Sequence, residues 1–140
     1  HTATAIATAL DAGAAAVLAP LVDSAEDAGR IVAAGRYPPL GHRSAGGVRP
    51  LMLGPAAMRQ ADRQVALGVM IETVRGVDNA GAICAVAGLH FVFIGTGDLA
   101  LSLGQDDPAQ LAALCERVRD AAHANGLPCG LFTGEAVAEW

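Results

Sequence analysis

The sequence contains no lysine, because all nine of its basic residues are arginines. A chain without lysine has no side-chain amine that could form a Schiff base with a carbonyl substrate. Aromatic residues make up only 4% of the 140 residues, and the net charge of -5 comes without a basic stripe. We therefore expect no nucleic-acid partner. No apolar run approaches the roughly 20 residues that cross a bilayer, so we expect no membrane span either.

Cysteine is also scarce. The three cysteines, Cys84, Cys115 and Cys129, form no CxxC pair. An odd number of isolated cysteines favours reduced thiols and a cytoplasmic protein. The polar N-terminus does not look like a signal peptide. The length and the 53% hydrophobic content suit a single domain over residues 1–140, or part of a larger domain.

Four apolar runs alternate with helix-like segments. The predicted strands are 14–22, 65–72, 90–95 and 127–132, and the predicted helices are 2–11, 24–34, 55–63, 74–86, 109–124 and one from 135 onward. This alternation implies a parallel α/β sheet. It fits either a four-stranded doubly wound sheet or an arc of a (β/α)₈ barrel, which needs about 250 residues when complete. We expect missing neighbours on both sides.

Two carboxylates, Glu72 and Asp98, follow the second and third predicted strands. The carboxyl ends of parallel strands share one edge of the sheet, where α/β enzymes build their sites. No basic residue lies in either strand to neutralise the two acids. A hard divalent cation such as Mg²⁺ or Mn²⁺ is their simplest partner. In the alternative, the acids lie only at helix starts, where Thr73 and Asp98 are plausible N-caps.

Two further segments could contact a substrate. The GTGD turn (95–98) could form a nest of backbone N–H groups for a carboxylate or phosphate, although glycine there also suits an ordinary turn. The Pro- and Gly-rich segment 36–50 predicts a long loop. Its Arg43 could bind an anionic substrate tail, or could pair with a surface acid. His42, in the same segment, is the best candidate among the four histidines for proton transfer. Only its position beside Arg43 in this loop favours that role.

Three motifs occur in a characteristic order: RYPPLGHRS (36–44), VMIET (69–73) and FIGTGDLALSLG (93–104). In this order and spacing they resemble the class II pyruvate aldolases of the HpcH/HpaI family, within the wider citrate lyase β-subunit superfamily. The segment LDAGAAAVLAPLVDSAEDAGRIV (10–32) also resembles the family's strand and helix before the YPP loop. The resemblance extends over essentially the whole chain.

The resemblance implies a (β/α)₈ TIM barrel, of which this chain covers roughly the central half, about four βα units. It implies that Glu72 and Asp98 bind a divalent metal (Mg²⁺, Mn²⁺ or Co²⁺), and that the backbone at Thr96 and Gly97 contacts the pyruvate carboxylate. The family's general-base histidine and pyruvate-binding arginine come from strands before 14–22, so we expect them outside this chain. Family members commonly have proline where Thr96 stands and often serine where Ala100 stands.

The resemblance implies an enzyme, a carbon–carbon lyase. It would reversibly cleave 4-hydroxy-2-oxo acids to pyruvate and an aldehyde through a metal-stabilised pyruvate enolate, with a homo-oligomer expected. One alternative is a CoA-thioester lyase of the same superfamily, acting on citramalyl- or malyl-CoA. The few clustered arginines and the absent lysine give it little with which to bind the CoA phosphates. Another alternative is a non-catalytic half-barrel that serves as an assembly module.

Overall fold

A computed structural model describes residues 2–46 and 48–132. Its centre is one parallel four-stranded sheet, in which the strands lie side by side in sequence order. The strands are β1 (Ala16–Ala19), β2 (Ala66–Ile71), β3 (Phe91–Ile94) and β4 (Cys129–Leu131). The register sets Ala19 beside Val69, Ile71 beside Ile94, and Ile94 beside Leu131. All four predicted strands are confirmed.

The helices alternate with the strands as the sequence predicts. In the described part of the chain they are α1 (Ala3–Asp11), α2 (Ala25–Gly35), α3 (Val48–Gln64), α4 (Val74–Asp78), α5 (Ala80–Cys84), α6 (Thr96–Leu103) and α7 (Pro108–Ala124). Side-chain oxygens of Thr2, Ser24, Thr73 and Asp107 accept hydrogen bonds at the starts of α1, α2, α4 and α7. The helix predicted from 135 onward lies outside the described residues.

The strand order decides between the two predicted architectures. A doubly wound sheet reverses its strand order at one point, which places helices on both faces. Here the order never reverses, so crossovers of one hand place the helices that connect the strands on the same face. The helices form one continuous layer, in which α1 packs on α2, α2 on α5 and α5 on α7. This is the arrangement of a (β/α)₈ barrel arc, and the barrel prediction is confirmed.

Three element boundaries differ from the prediction. The strand predicted over 14–22 is only Ala16–Ala19, because Pro20 lacks an N–H and Leu21 adopts a left-handed backbone with φ 54°. The helix predicted over 55–63 is the second part of α3, which breaks at Gly54 (φ 76°). The helix predicted over 74–86 is divided at Asn79 into α4 and α5.

The hydrophobic core lies between the sheet and this helix layer. Alternate residues of the two central strands point into it and are fully buried, namely Leu67, Val69, Ile71, Val92 and Ile94. Residues on the opposite face of the sheet, such as Met70 and Phe93, remain partly exposed. No helix of the described residues is both long and apolar enough to cross a membrane.

Candidate metal and substrate site

The ends of β2 and β3 bring Glu72 and Asp98 together. Glu72 directly follows β2, and Asp98 lies in the first turn of α6, just after β3. The N–H of Gly95 donates to the Ile71 carbonyl at 3.1 Å, which holds the two strand ends level. We call this edge of the sheet, formed by Leu21, Glu72, residues 95–98 and Phe132, the carboxyl edge. The predicted proximity of the two acids is therefore seen in the structure.

Glu72 is a buried acid with only 3% of its surface exposed. Burial raises the pKa of its carboxyl, and the neighbouring carboxyl and charge of Asp98 and the charge of Asp23 raise it further. A hydrogen bond from the Leu21 backbone acts in the opposite direction. A buried acid whose pKa is raised by burial and by neighbouring acids is a frequent sign of a functional site, because a structural acid is usually paired with a base.

Two backbone features hold the Glu72 carboxylate in place. The N–H of Leu21 donates to Oε1 of Glu72 at 2.7 Å. Gly95 provides the space on the other side, since a Cβ at that position would lie 2.5 Å from Oε2 and 2.7 Å from Cβ of Glu72. The GTGD motif therefore needs glycine at 95 to leave room for the acid.

The start of α6 brings Thr96 and Gly97 next to Asp98. Gly95 is the N-cap residue and gives no side-chain hydrogen bond, so Asp98 does not cap the helix, and the interpretation of Asp98 as an N-cap is wrong. The hydroxyl of Thr96 donates to the Phe132 carbonyl at 2.8 Å, which links α6 to the end of β4. The first N–H groups of an eight-residue helix are thus directed to the carboxyl edge, where they favour an anion.

A third acid, Asp23, lies beside the pair. Asp23 comes just before Ser24, which is the N-cap residue of α2. Asp23 instead accepts a hydrogen bond from the hydroxyl of Thr73, and its carbonyl accepts one from Asn79 Nδ2 at 2.8 Å. Thr73 in turn caps α4, as predicted. This network anchors the segment after β1 to the segment after β2.

The donor set suits a hard divalent cation. Glu72 and Asp98 are absent from the salt bridges that the described residues form. Carboxylate oxygens are the ligands that Mg²⁺ and Mn²⁺ prefer. Within 2–46 and 48–132, no group of three or more His, Cys, Asp or Glu side chains is arranged to hold a metal. A cation that is bound by only these two carboxylates would keep its other coordination positions for substrate and water.

Arg43 lies at the opposite edge of the sheet, which we call the amino edge: Asp11, Arg36, Tyr37, Arg43, Val65 and His90. Arg43 is 6% exposed, bonds to Asp11 at 2.7 Å and stacks on the Tyr37 ring at 4.6 Å. The loop containing Arg43 follows α2, which runs back from the carboxyl edge to the amino edge. The structure therefore does not bring Arg43 together with Glu72 and Asp98, and the site proposed below omits it.

The other candidate groups for chemistry also lie elsewhere. His90 precedes β3 and contacts the Arg36 guanidinium at the amino edge, and His42 is exposed in the loop with Arg43. Burial raises the pKa of the Cys84 and Cys129 thiols to about 11, and the charge of a neighbouring cysteine adds to the increase. These two thiols are protonated at neutral pH and are poor nucleophiles.

Comparison with known proteins agrees with this geometry. The family model described as HpcH/HpaI aldolase/citrate lyase matches residues 1–135. The chain belongs to this family. A 4-hydroxy-2-oxovalerate aldolase of Novosphingobium aromaticivorans is 38% identical over 138 residues, which are 95% of this chain and 53% of that protein. A protein of the same name from Rhodococcus jostii is 44% identical over 128 residues, which are 84% and 49% of the two chains.

Solved structures of HpcH/HpaI proteins share the fold. The crystal structure of an HpcH/HpaI aldolase from Desulfitobacterium hafniense superposes with a TM-score of 0.86 at 30% identity, and covers 99% of this chain and 56% of that one. The chain thus spans about half the length of the relatives it matches. Glu72 and Asp98 follow two adjacent strands of this barrel arc, at its carboxyl edge.

Proposed function

We propose that the intact protein is a divalent-metal-dependent pyruvate aldolase that reversibly cleaves 4-hydroxy-2-oxo acids to pyruvate and an aldehyde. The observation that carries this proposal is the close pair of Glu72 and Asp98, which has no basic partner among the described residues. Two relatives are named 4-hydroxy-2-oxovalerate aldolase, and their names point to the same substrate class. The homo-oligomeric state and the cytoplasmic location expected from the sequence belong to the same proposal.

In this proposal Glu72 and Asp98 hold Mg²⁺, Mn²⁺ or Co²⁺ at the carboxyl edge. Such a cation acts as a Lewis acid on the keto oxygen of the substrate, an effect worth several kcal/mol. Within these 140 residues there is no lysine that could activate the carbonyl through a Schiff base instead. The Leu21 N–H donates to Oε1 of Glu72, and Oε2 accepts no hydrogen bond from a backbone group of the described residues.

The start of α6 would orient the other end of the substrate. The N–H groups of Thr96 and Gly97 would donate to the pyruvate carboxylate, favoured by the positive end of the helix dipole. By the resemblance, the general-base histidine and the arginine that binds pyruvate belong to strands outside these 140 residues. In this proposal the described half-barrel supplies the two acids and the N–H groups that bind the pyruvate carboxylate. The proton acceptor comes from elsewhere in the intact protein.

The proposal is tested by following exchange of the pyruvate methyl protons in D₂O by NMR with the intact protein. We expect exchange with Mg²⁺ or Mn²⁺, its loss with a chelator, and a decrease of at least about a thousandfold in Glu72→Gln. The matched control is Asp78→Asn, which removes an exposed acid of α4 that pairs with Arg117. Exchange that survives both the chelator and Glu72→Gln would contradict the proposal.

The substrate class needs a separate measurement. Cleavage rates on 4-hydroxy-2-oxovalerate and on malyl-CoA should be compared under the same metal and buffer conditions. We expect faster cleavage of the free keto acid than of the thioester, because two relatives are named 4-hydroxy-2-oxovalerate aldolase and these 140 residues offer no lysine to the CoA phosphates. Faster cleavage of the thioester would replace the aldolase assignment by a CoA-thioester lyase.

A further inference from the structure

We propose that Leu21 is a positioning residue for Glu72 and acts through its backbone N–H. This inference rests on the proposed function, because it concerns how the Glu72 carboxylate is presented to a cation. The N–H of Leu21 donates to Oε1 of Glu72 at 2.7 Å, across 51 positions of sequence. No other hydrogen bond to this carboxylate is made by a backbone group of the described residues.

The backbone of Leu21 is strained. Its φ of 54° makes it the one non-glycine residue with positive φ in 2–46 and 48–132. A left-handed leucine brings its Cβ close to the following carbonyl oxygen, which is unfavourable for L-residues. Such conformations persist where the surrounding structure enforces them, and they concentrate at functional sites. The strain at Leu21 therefore calls for an explanation in the contacts of this segment.

Neighbouring contacts fix the chain on the C-terminal side of Leu21. The N–H of Val22 donates to the Met70 carbonyl at 3.2 Å, and Asn79 Nδ2 donates to the Asp23 carbonyl at 2.8 Å. With these anchors in place, a return of φ at Leu21 to negative values would turn the 20–21 peptide and its N–H away from Glu72. The left-handed conformation is thus the one that directs this donor to the acid.

The hydrogen bond selects one orientation of the carboxylate. Oε1 of Glu72 is held by the Leu21 N–H, and Oε2 lies over Gly95, where a Cβ would come within 2.5 Å of it. Asp98 lies next to this carboxylate, at the start of α6. A fixed Glu72 presents Oε2 to the cation without having to lose side-chain freedom on binding, which increases affinity.

The side chain of Leu21 is not what this position requires. It is 55% exposed, whereas its N–H points inward to a buried acid. Glycine adopts positive φ without strain and keeps the N–H, so Leu21→Gly should preserve the function of the residue. Replacing the 20–21 amide by an ester, through incorporation of leucic acid at 21, removes the N–H and keeps the leucine side chain.

The test is a Mn²⁺ titration of the intact protein without substrate, in which free Mn²⁺ is followed by electron paramagnetic resonance. The ester at 21 should weaken Mn²⁺ affinity by about tenfold, since hydrogen bonds to charged groups are the stronger ones. Leu21→Gly should remain within about twofold of the unmodified protein. The matched control is an ester at Val22, which removes the bond to the Met70 carbonyl in the same segment but leaves Glu72 untouched.

The outcomes separate this inference from the function on which it rests. Equal losses of affinity for the esters at 21 and 22 would show that the segment has only a structural role, and would overturn the inference. So would an ester at 21 that binds Mn²⁺ as tightly as the unmodified protein while Glu72→Gln does not bind. If Glu72→Gln itself keeps full Mn²⁺ affinity, the metal site fails, and with it both proposals.

Discussion

The two edges of the sheet treat their charges in opposite ways. At the amino edge, Arg43 pairs with Asp11, and both terminal nitrogens of Arg36 donate to the Val65 carbonyl at 3.1 Å. At the carboxyl edge, Glu72 is buried next to two further acids, and its pKa is raised by burial and then by those acids. Charges that are matched within the fold contribute to its stability, whereas unmatched like charges reduce it.

The difference teaches where to look for function in this molecule. Buried charges with partners, such as Arg43, stabilise the loop that follows α2. A buried acid without a basic partner costs stability, and natural proteins retain such groups mainly where binding or catalysis needs them. The predictions below test this contrast, from the largest expected effect to the smallest.

The largest effect is expected from Gly95→Ala at the carboxyl edge. The new Cβ would lie 2.5 Å from Oε2 of Glu72, so the carboxylate would have to move away from its place beside Asp98. We expect Mn²⁺ affinity to fall by about a hundredfold, the upper range for a disturbed ligand environment. Isothermal titration calorimetry measures it. Gly81→Ala in α5 is the control, since its Cβ would meet nothing within 4 Å. Equal affinities for both variants would refute the claim that Gly95 is needed to make room for the Glu72 carboxylate.

At the amino edge, Arg43→Met should reduce stability rather than metal binding. The substitution leaves Asp11 without its partner and removes the stacking on Tyr37. We expect a loss of about 2 kcal/mol in urea unfolding, because Asp11 is partly exposed and tolerates the loss better than a fully buried charge. The control is Arg30→Met on the surface of α2, which should cost less than about 0.5 kcal/mol. A large loss of Mn²⁺ affinity in Arg43→Met would place Arg43 in the site after all.

The stability of the metal-free protein should depend on the ionisation of Glu72. Because the pKa of Glu72 is higher in the folded protein than its ordinary value of 4.5, the folded state binds more protons just above that pH. The free energy of unfolding contributed by this group is therefore full below pH 4.5 and falls as the pH rises through the folded pKa. Glu72→Gln should remove this decrease and gain about 1 kcal/mol at neutral pH. Urea unfolding at several pH values measures it, and an unchanged slope in Glu72→Gln would contradict the assignment.

The smallest effect is expected from Thr96→Val. This variant keeps the shape of the side chain but loses the hydrogen bond to the Phe132 carbonyl. We expect thermal unfolding to reveal a loss of about 0.5 kcal/mol, because the bond is exposed. Mn²⁺ affinity should stay unchanged, because the hydroxyl bonds to the Phe132 carbonyl. Ser102→Ala, which removes an exposed bond to the Val74 N–H, provides a comparison at the other end of α6. A Thr96→Val variant that loses Mn²⁺ affinity would show that this hydroxyl belongs to the site.

The sequence predicts the strands and the acid pair because both depend on local pattern. An apolar run that ends on an acid places that acid at the carboxyl edge, and the positions of Glu72 and Asp98 follow from it. Arg43 could not be placed in this way, since its position depends on the return of α2 to the opposite edge. The left-handed Leu21 also leaves no mark in the sequence, because leucine rarely adopts that conformation and only the surrounding contacts enforce it.

The central claim is that Glu72 and Asp98 together hold a divalent cation. Its most direct test is anomalous diffraction from crystals of the intact protein grown with Mn²⁺. We predict one strong anomalous peak within about 2.5 Å of a carboxylate oxygen of each residue, the usual range for hard cations. A strong peak elsewhere in the molecule and none between these two acids would contradict the account.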